Sequence, residues 1–155
     1  MGLNKGPFVV AQSVSVDNPF NDPDVIFLQG NMPTTVATVD VCVKHPQRTQ
    51  VCIDSMVQVG VGASTAGMPT TFAMTYELFR NSTPIATIND EMDYSSPPNE
   101  NFNYTNFPNF PVVDKDPVAG NNTYDLVCTR VTANESQVAF IGVGSRSLKA
   151  TVITL

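Results

Sequence analysis

Tryptophan is absent from this 155-residue chain, histidine occurs once, as His45, and Lys, Arg, Asp and Glu together make up only 14% of it. Globular domains carry about 25% charged residues. The shortage leaves much of the surface to Asn, Thr, Ser and Val, a composition suited to packing against copies of itself. No apolar run approaches the ~18 residues needed to cross a bilayer, so no membrane insertion is expected. No Cys-x-x-C spacing occurs, and a lone histidine in a Lys-His-Pro-Gln turn reads as a solvated loop residue rather than a ligand, so neither metal nor cofactor is expected. Basic side chains are also scarce: 14 acidic against 8 basic residues give a net charge of −6. That sign argues against nucleic-acid phosphates and anionic lipid as partners.

The residues of catalysis are equally thin. Nucleophilic hydrolysis needs a base beside Ser or Cys, and His45 is the one neutral-pH base of its kind. The carboxylates of Asp90-Glu91-Asp93 and Asp114-Asp116 fall in proline-rich stretches and lack the D-x-D-x-D-G ladder of a calcium loop. A glycosidase pair would need an aromatic-lined cleft, which Phe102, Tyr104 and Phe110 could supply only if the stretch formed a groove. The chain therefore reads as a non-enzyme, and a small-molecule ligand is not expected. Between Met1 and Val16 only Lys5 and the short Pro7-Phe8-Val9-Val10-Ala11 run are present, so no classical signal peptide is expected. The sequons at Asn81, Asn103, Asn121 and Asn134 arise easily in an Asn- and Thr-rich chain.

What the chain does have is alternation. Val51, Ile53, Ser55, Val57, Val59 and Val61 share one face of a strand, with Cys52, Asp54, Met56 and Gln58 on the other. Val39, Val41 and Val43 precede it, and Phe72, Met74, Tyr76 and Leu78 line one side of residues 70–80. Asn81-Ser82 reads as a hairpin turn, with Pro84 re-entering on an edge strand. Residues 123–132, 137–143 and 148–155 complete about eight strands with no credible helix. The fold class expected is all-β, an antiparallel jelly-roll sandwich with an extended N-terminal arm. Val59-Gly60-Val61-Gly62-Ala63 and Gly142-Val143-Gly144 read as bulges and turns at strand ends.

Two stretches break the pattern. Residues 89–118 interleave Pro97, Pro98, Pro108, Pro111 and Pro117 with Phe102, Tyr104, Phe107 and Phe110. The expectation is a long loop with aromatics pinned to the barrel, the alternative a ligand groove lined by those four aromatics. Residues 1–32 form a connector arm and residues 33–155 the jelly roll, with the boundary near Gly30-Asn31-Met32-Pro33. Ordering the arm costs about 1 to 2 kcal/mol per residue, and its few apolar groups imply a partner surface. Phe8, Val9, Val10 and Phe20 are the anchors expected to dock on a neighbouring subunit, against the rival in which the arm folds back on its own barrel.

The three cysteines are Cys42, Cys52 and Cys128. A hairpin turning through residues 45–48 would set Cys42 opposite Cys52 and Asp40 opposite Asp54, permitting a cross-strand disulfide. The other reading is three small thiols packed as hydrophobes.

The hairpin Tyr76-Glu77-Leu78-Phe79-Arg80-Asn81-Ser82-Thr83-Pro84-Ile85 and the closing strand Ser145-Arg146-Ser147-Leu148-Lys149-Ala150-Thr151-Val152-Ile153 resemble bacterial spore-surface proteins. These are the trimeric jelly rolls of the tumour-necrosis-factor and complement type found in Bacillus exosporium glycoproteins and endospore appendage subunits. The similarity spans residues 34–155 and includes Tyr124-Asp125-Leu126 and Phe140-Ile141-Gly142, but no collagen-like stalk is present. It implies a homotrimer that polymerises through N-terminal arms into an extracellular or spore-surface fibre. The alternative is a trimeric receptor- or carbohydrate-binding head of such a fibre.

Overall fold

The computed structural model describes residues 6–63, 69–95, 103–131 and 138–155. Among these residues, ten strands form two antiparallel sheets: β1 (Phe8–Val14), β2 (Ile26–Phe27), β3 (Thr34–Val43), β4 (Thr49–Ala63), β5 (Pro69–Arg80), β6 (Thr83–Ser95), β7 (Asn103–Asn106), β8 (Asn109–Asp114), β9 (Gly120–Arg130) and β10 (Val138–Thr154). One sheet runs β1-β10-β4-β7, with β8 continuing β7 along β4 and β2 continuing β1 along β10. The other runs β3-β9-β5-β6. Counting β1 with β2, and β7 with β8, as single interrupted strands leaves eight positions, paired first with last, second with seventh, third with sixth and fourth with fifth. That nested pairing is a jelly roll: one long hairpin rolled into a two-sheet sandwich. The expected all-β sandwich is thus the observed one.

Alternation explains the core. Val51, Ile53, Val57, Val59 and Val61 of β4 face Phe72, Met74, Tyr76 and Leu78 of β5, and Val39, Val41 and Val43 add the rows of β3. Burying each such side chain contributes about 1.5 to 3 kcal/mol. The hairpin at Asn81-Ser82 is present, with both residues at positive φ (48° and 67°) and Arg80 opposite Thr83. Pro84 lies on β6, an edge strand.

Four expectations need correction. Residues 137–143 and 148–155 are not two strands but one, β10, because a bulge between Val143 and Arg146 adds a residue and flips which positions face inward: Ile141 and Val143 before it, Leu148 and Ala150 after it. Within residues 89–118, β6 runs on to Ser95 and β7 and β8 pair with β4, so the described part is mostly edge strand. Pro111 is tolerated there because β8 bonds β4 on one side only. The glycine runs fit in part, since residues 59–63 do end β4 and Gly144 sits in the bulge after Val143, but Gly60, Gly62 and Gly142 are paired within the ladder, on the face opposite the buried valines. Finally, the N-terminal stretch is extended, but residue 32 does not separate an arm from the barrel, since Phe8–Val14 supplies the first strand of its own sheet.

The two sides of the sandwich are closed by polar side chains. On one, Gln12 accepts from the Thr38 amide at 2.6 Å and the Arg146 Nε donates to the Val36 carbonyl at 2.9 Å. On the other, the clamps described below join β5 and β9 to β8, and β6 to β7.

Candidate assembly surface

The outer face of the β1-β10-β4-β8 sheet is built in registered rows. Val9, Thr151, Cys52 and Val113 form one; Ala11, Lys149, Asp54 and Pro111 the next; Ser13, Ser147, Met56 and Asn109 a third. The charges of these rows cancel, since Lys149 pairs with Asp54 at 2.9 Å. Val9 and Val113 at the two ends of the first row are about half exposed (51% and 48%). The other sheet's outer face differs: Asp40, Glu77, Glu91, Asp93 and Asp125 occupy positions that alternate with the core residues of β3, β5, β6 and β9. These three rows offer neutral, partly apolar area for contact without the like-charge repulsion of the second face.

Residues 15–25 leave the edge between β1 and β2 and cross this face at its glycines, beyond the neutral rows, carrying Asp17, Asp22 and Asp24. A Cβ on Gly60 would stand 2.9 Å from the Pro19 carbonyl oxygen, one on Gly142 2.7 Å from a Val25 methyl, and one on Gly144 3.0 Å from Pro19 Cβ. The glycines thus form a platform on which Pro19 is buried, and side chains there would lift it off. Phe20 and Phe27 then pack edge-on against Phe140, with ring centroids 6.2 and 5.6 Å apart. This strap is what the sequence's glycine runs signalled.

The four anchor residues are not brought together: Phe8, Val9 and Val10 pair with Val152, Thr151 and Ala150 near one end of β10, and Phe20 packs over Gly60 and against Phe140 near the other. Val10 packs on the core, Phe20 is half-buried over the platform, and Phe8 and Val9 are exposed (62% and 51%). In the single chain they dock on their own barrel, the arrangement expected only as the rival. Main-chain pairing of β1 along β10 gives the strap's entropy a local compensation.

Cys42 and Cys52 do not face each other. The chain between them crosses from one sheet to the other, so Cys42 pairs with Asn121 and Cys52 with Thr151 and Val113. Each alternates with core residues, Cys42 with Val41 and Val43, Cys52 with Val51 and Ile53, so their side chains leave opposite faces of the sandwich and no disulfide joins them. Cys128 is buried, and burial pushes its thiol up to about 12. Tyr104 and Phe110 pack against the core, Phe107 is exposed between β7 and β8, and Phe102 lies outside the described residues. Two of the three described aromatics thus turn toward the core rather than to a shared outer surface.

Two side-chain clamps between the sheets were not expected from the sequence. Asp114, from a proline-rich stretch, is buried; its carboxylate accepts from both Arg80 at 2.8 Å and the Tyr124 hydroxyl at 2.7 Å. Burial, then the Asp114 hydrogen bond and charge, push the Tyr124 hydroxyl well above its ordinary range. In the second clamp Tyr76 donates to Asp90 at 3.4 Å, and Asn106 donates to the same oxygen. Burial first, and the Asp90 charge second, raise Tyr76 likewise. The one sequence signal was parity, since Tyr76 and Tyr124 sit at inward-facing positions where a phenol needs a partner.

No protein-family model matches the chain, and no curated protein does. Among solved structures, the chain is similar over 97% of its length to dimeric latent PorU from Porphyromonas gingivalis (11% identity, TM-score 0.41, 13% of that chain). It is also similar to infectious bursal disease virus structures of the Gx strain (13% identity, TM-score 0.46, 97% of this chain and 32% of that one) and the Gt strain (12%, 0.44, 96% and 33%). The chain spans about a third or less of each.

Proposed function

We propose that this protein is a structural subunit that self-assembles, a homotrimer joined to its neighbours by exchange of N-terminal strands in an extracellular or spore-surface fibre. The observation that carries the reading is the composition of β1. Phe-Val-Val-Ala-Gln-Ser-Val has neither charge nor proline, yet it is an edge strand with Phe8 and Val9 exposed. Natural edges are normally blunted, as β6 is by Pro84, Asp90, Glu91 and Asp93 and β8 by Pro111. An unguarded edge suits a protein whose strands pair between copies. Exchange would keep every β1–β10 bond, since each copy carries the same β10 edge and glycine platform, and only the residues around the strap would change path. The neutral outer face supplies area for the trimer, and the placement at a spore or cell surface rests on the sequence resemblance of the hairpin at residues 76–85 and the closing strand.

The test uses the register itself. Ser13 lies opposite Ser147, so Ser13→Cys with Ser147→Cys, in a Cys42→Ser and Cys52→Ser background, reports where β1 docks. Oxidation of assembled protein should give covalent multimers on a denaturing gel. A cross-linked band at monomer mass alone would overturn arm exchange, and a monomeric mass in light scattering at micromolar concentration would overturn self-assembly.

A further inference from the structure

β3 is the edge strand of its sheet, and its last residues present an open edge. The Thr38 amide donates to the Gln12 side chain of β1, so the main-chain groups of Thr38 turn away from β9. In an antiparallel ladder residues two apart point these groups the same way, and Asp40 and Cys42 therefore present theirs outward too. β9 agrees: Thr123, opposite Asp40, gives its carbonyl to the Asn81 amide and its amide to the Asn81 side chain instead of bonding β3. Among the described residues, no hydrogen bond reaches the outward N–H or C=O of Asp40 or Cys42. An opening of about 440 Å³ between Phe8 of β1 and Cys42, Val43 and Lys44 leaves room beside them. The free stretch is bounded at both ends, since Gln12 holds the Thr38 amide and the chain turns out of the sheet at Pro46. Asp40, Cys42 and Lys44 are all exposed along it, and unlike β6 this strand carries no proline.

We propose that two copies of this chain pair edge to edge through residues 40–44 of β3, antiparallel about a two-fold axis at Cys42, so that their four-stranded sheets join into one. The inference rests on the self-assembly reading but not on arm exchange, and it adds a second contact with a defined register. A second copy is the occupant because the stretch is complementary to itself: with Cys42 opposite Cys42, each Asp40 meets Lys44 of the other copy. Neighbouring registers are excluded. An axis at Val41 would call on the Thr38 amide that Gln12 holds, and an axis at Val43 would set Asp40 against Pro46, which has no N–H. In the Cys42 register the outward groups of Asp40, Cys42 and Lys44 gain about six main-chain bonds, and the two Cys42 Cα atoms stand about 5.5 Å apart. That separation is within disulfide reach, and both thiols stay on the outer face, open to reagents. The contact is isologous and closes on two copies, so extended assembly still depends on the β1 strands.

Cross-linking reads the register. In Cys52→Ser protein Cys42 is the one exposed thiol, Cys128 being buried. Diamide, which takes up the two protons and two electrons of a thiol pair, should convert this chain to a disulfide dimer on a non-reducing denaturing gel. In a Cys42→Ser, Cys52→Ser background, Asp40→Cys with Lys44→Cys should give the same dimer. Asp40→Cys alone should give about tenfold less, because its two thiols are offset by about 13 Å along the strands. Cys42→Pro removes the central N–H, which bonds nothing within the chain. It should leave far-ultraviolet dichroism unchanged while the sedimentation mass at equal concentration falls by half or more. Assembled protein whose Cys42 does not cross-link, or an Asp40→Cys chain that cross-links as fast as the two-site variant, would overturn the edge contact and leave self-assembly standing. A folded Cys42→Pro chain of undiminished mass would overturn it also. Wild-type protein that sediments as a monomer would overturn both.

Discussion

Tyr124 and Asp114 come from different sheets, and the hydroxyl of one donates to the carboxylate of the other at 2.7 Å. With Arg80 on the same carboxylate, the contact pins the end of β8 onto the facing sheet at a position where the backbone ladder provides no bond. Removing the acid leaves the Arg80 guanidinium with the Asp116 carbonyl but no counter-charge, and the buried phenol without its acceptor. Asp114→Ala should therefore cost about 3 to 5 kcal/mol, and Tyr124→Phe, which leaves Arg80 its partner, about 1 to 2 kcal/mol. Urea unfolding followed by dichroism measures both, and equal losses would show that the phenol and not the ion pair carries the clamp.

Alkaline stability follows from the buried thiol and phenols. Cys128 is raised by burial from an ordinary 9.0 to about 12, and Tyr76 and Tyr124 are raised from an ordinary 10.0. Each keeps its proton longer in the folded chain than in the unfolded one, so its contribution is complete below the ordinary value and is lost as pH climbs toward the folded value. Unfolding free energy should hold steady up to about pH 9, then fall by about 1.4 kcal/mol per pH unit for each group in its window. Cys128→Val should delay the onset to about pH 10. Denaturant titrations across pH 8 to 11 would show it.

The thiols should react in order of exposure. Iodoacetamide at pH 8 should modify Cys42 first, Cys52 more slowly, and Cys128 only in denaturant, because Cys42 is exposed, Cys52 half-buried and Cys128 buried with a raised thiol. Peptide mass spectrometry of timed samples gives the order. Protection of Cys52 beyond this in assembled protein would mark the outer-face row of Val9 and Val113 as covered.

The platform under the strap is testable at one atom. Gly60→Ala places a methyl 2.9 Å from the Pro19 carbonyl oxygen, backbone that cannot swing aside. The strap should lift and the barrel remain, at a cost of about 1 to 3 kcal/mol. Hydrogen exchange at Val25, whose amide bonds the Asp22 carbonyl, should speed up while amides of β5 stay protected.

The hairpin offers a stabilising change. Ser82 sits at φ 67°, where a Cβ is strained, and Asn81 must stay because its side chain accepts from the Thr123 amide at 2.8 Å. Ser82→Gly should raise stability by about 0.5 to 1 kcal/mol, or a few degrees in Tm. Asn81→Gly should gain nothing, since the tie to β9 is lost.

Periodicity made β4, β5 and the Asn81-Ser82 turn legible, because each is decided by residues within a dozen positions. Partnership was not legible. Val39 to Val43 and Val51 to Val61 alternate as a hairpin would, but alternation names a buried face and not a neighbour, so the Cys42 to Cys52 pairing failed when the chain changed sheets. Gly60 and Gly142 looked like strand ends because their meaning lies in what rests on them, Pro19 and Val25, which are distant in sequence. Asp114 looked solvated for the same reason: its partners, Arg80 and Tyr124, lie 34 positions before it and 10 after, on another sheet.

The nested pairing that places β1 against β10 also sets an order of events during synthesis. The first strand to emerge is paired by the last, so β1 has no edge to join until β10 is made, some 130 residues later. At about 5 to 20 residues per second, that interval is roughly 7 to 26 seconds. Throughout it, the completed β10 edge of any finished chain nearby competes with a partner that does not yet exist. Under the proposed exchange, local concentration on the ribosome, rather than affinity, would decide whose strand is taken.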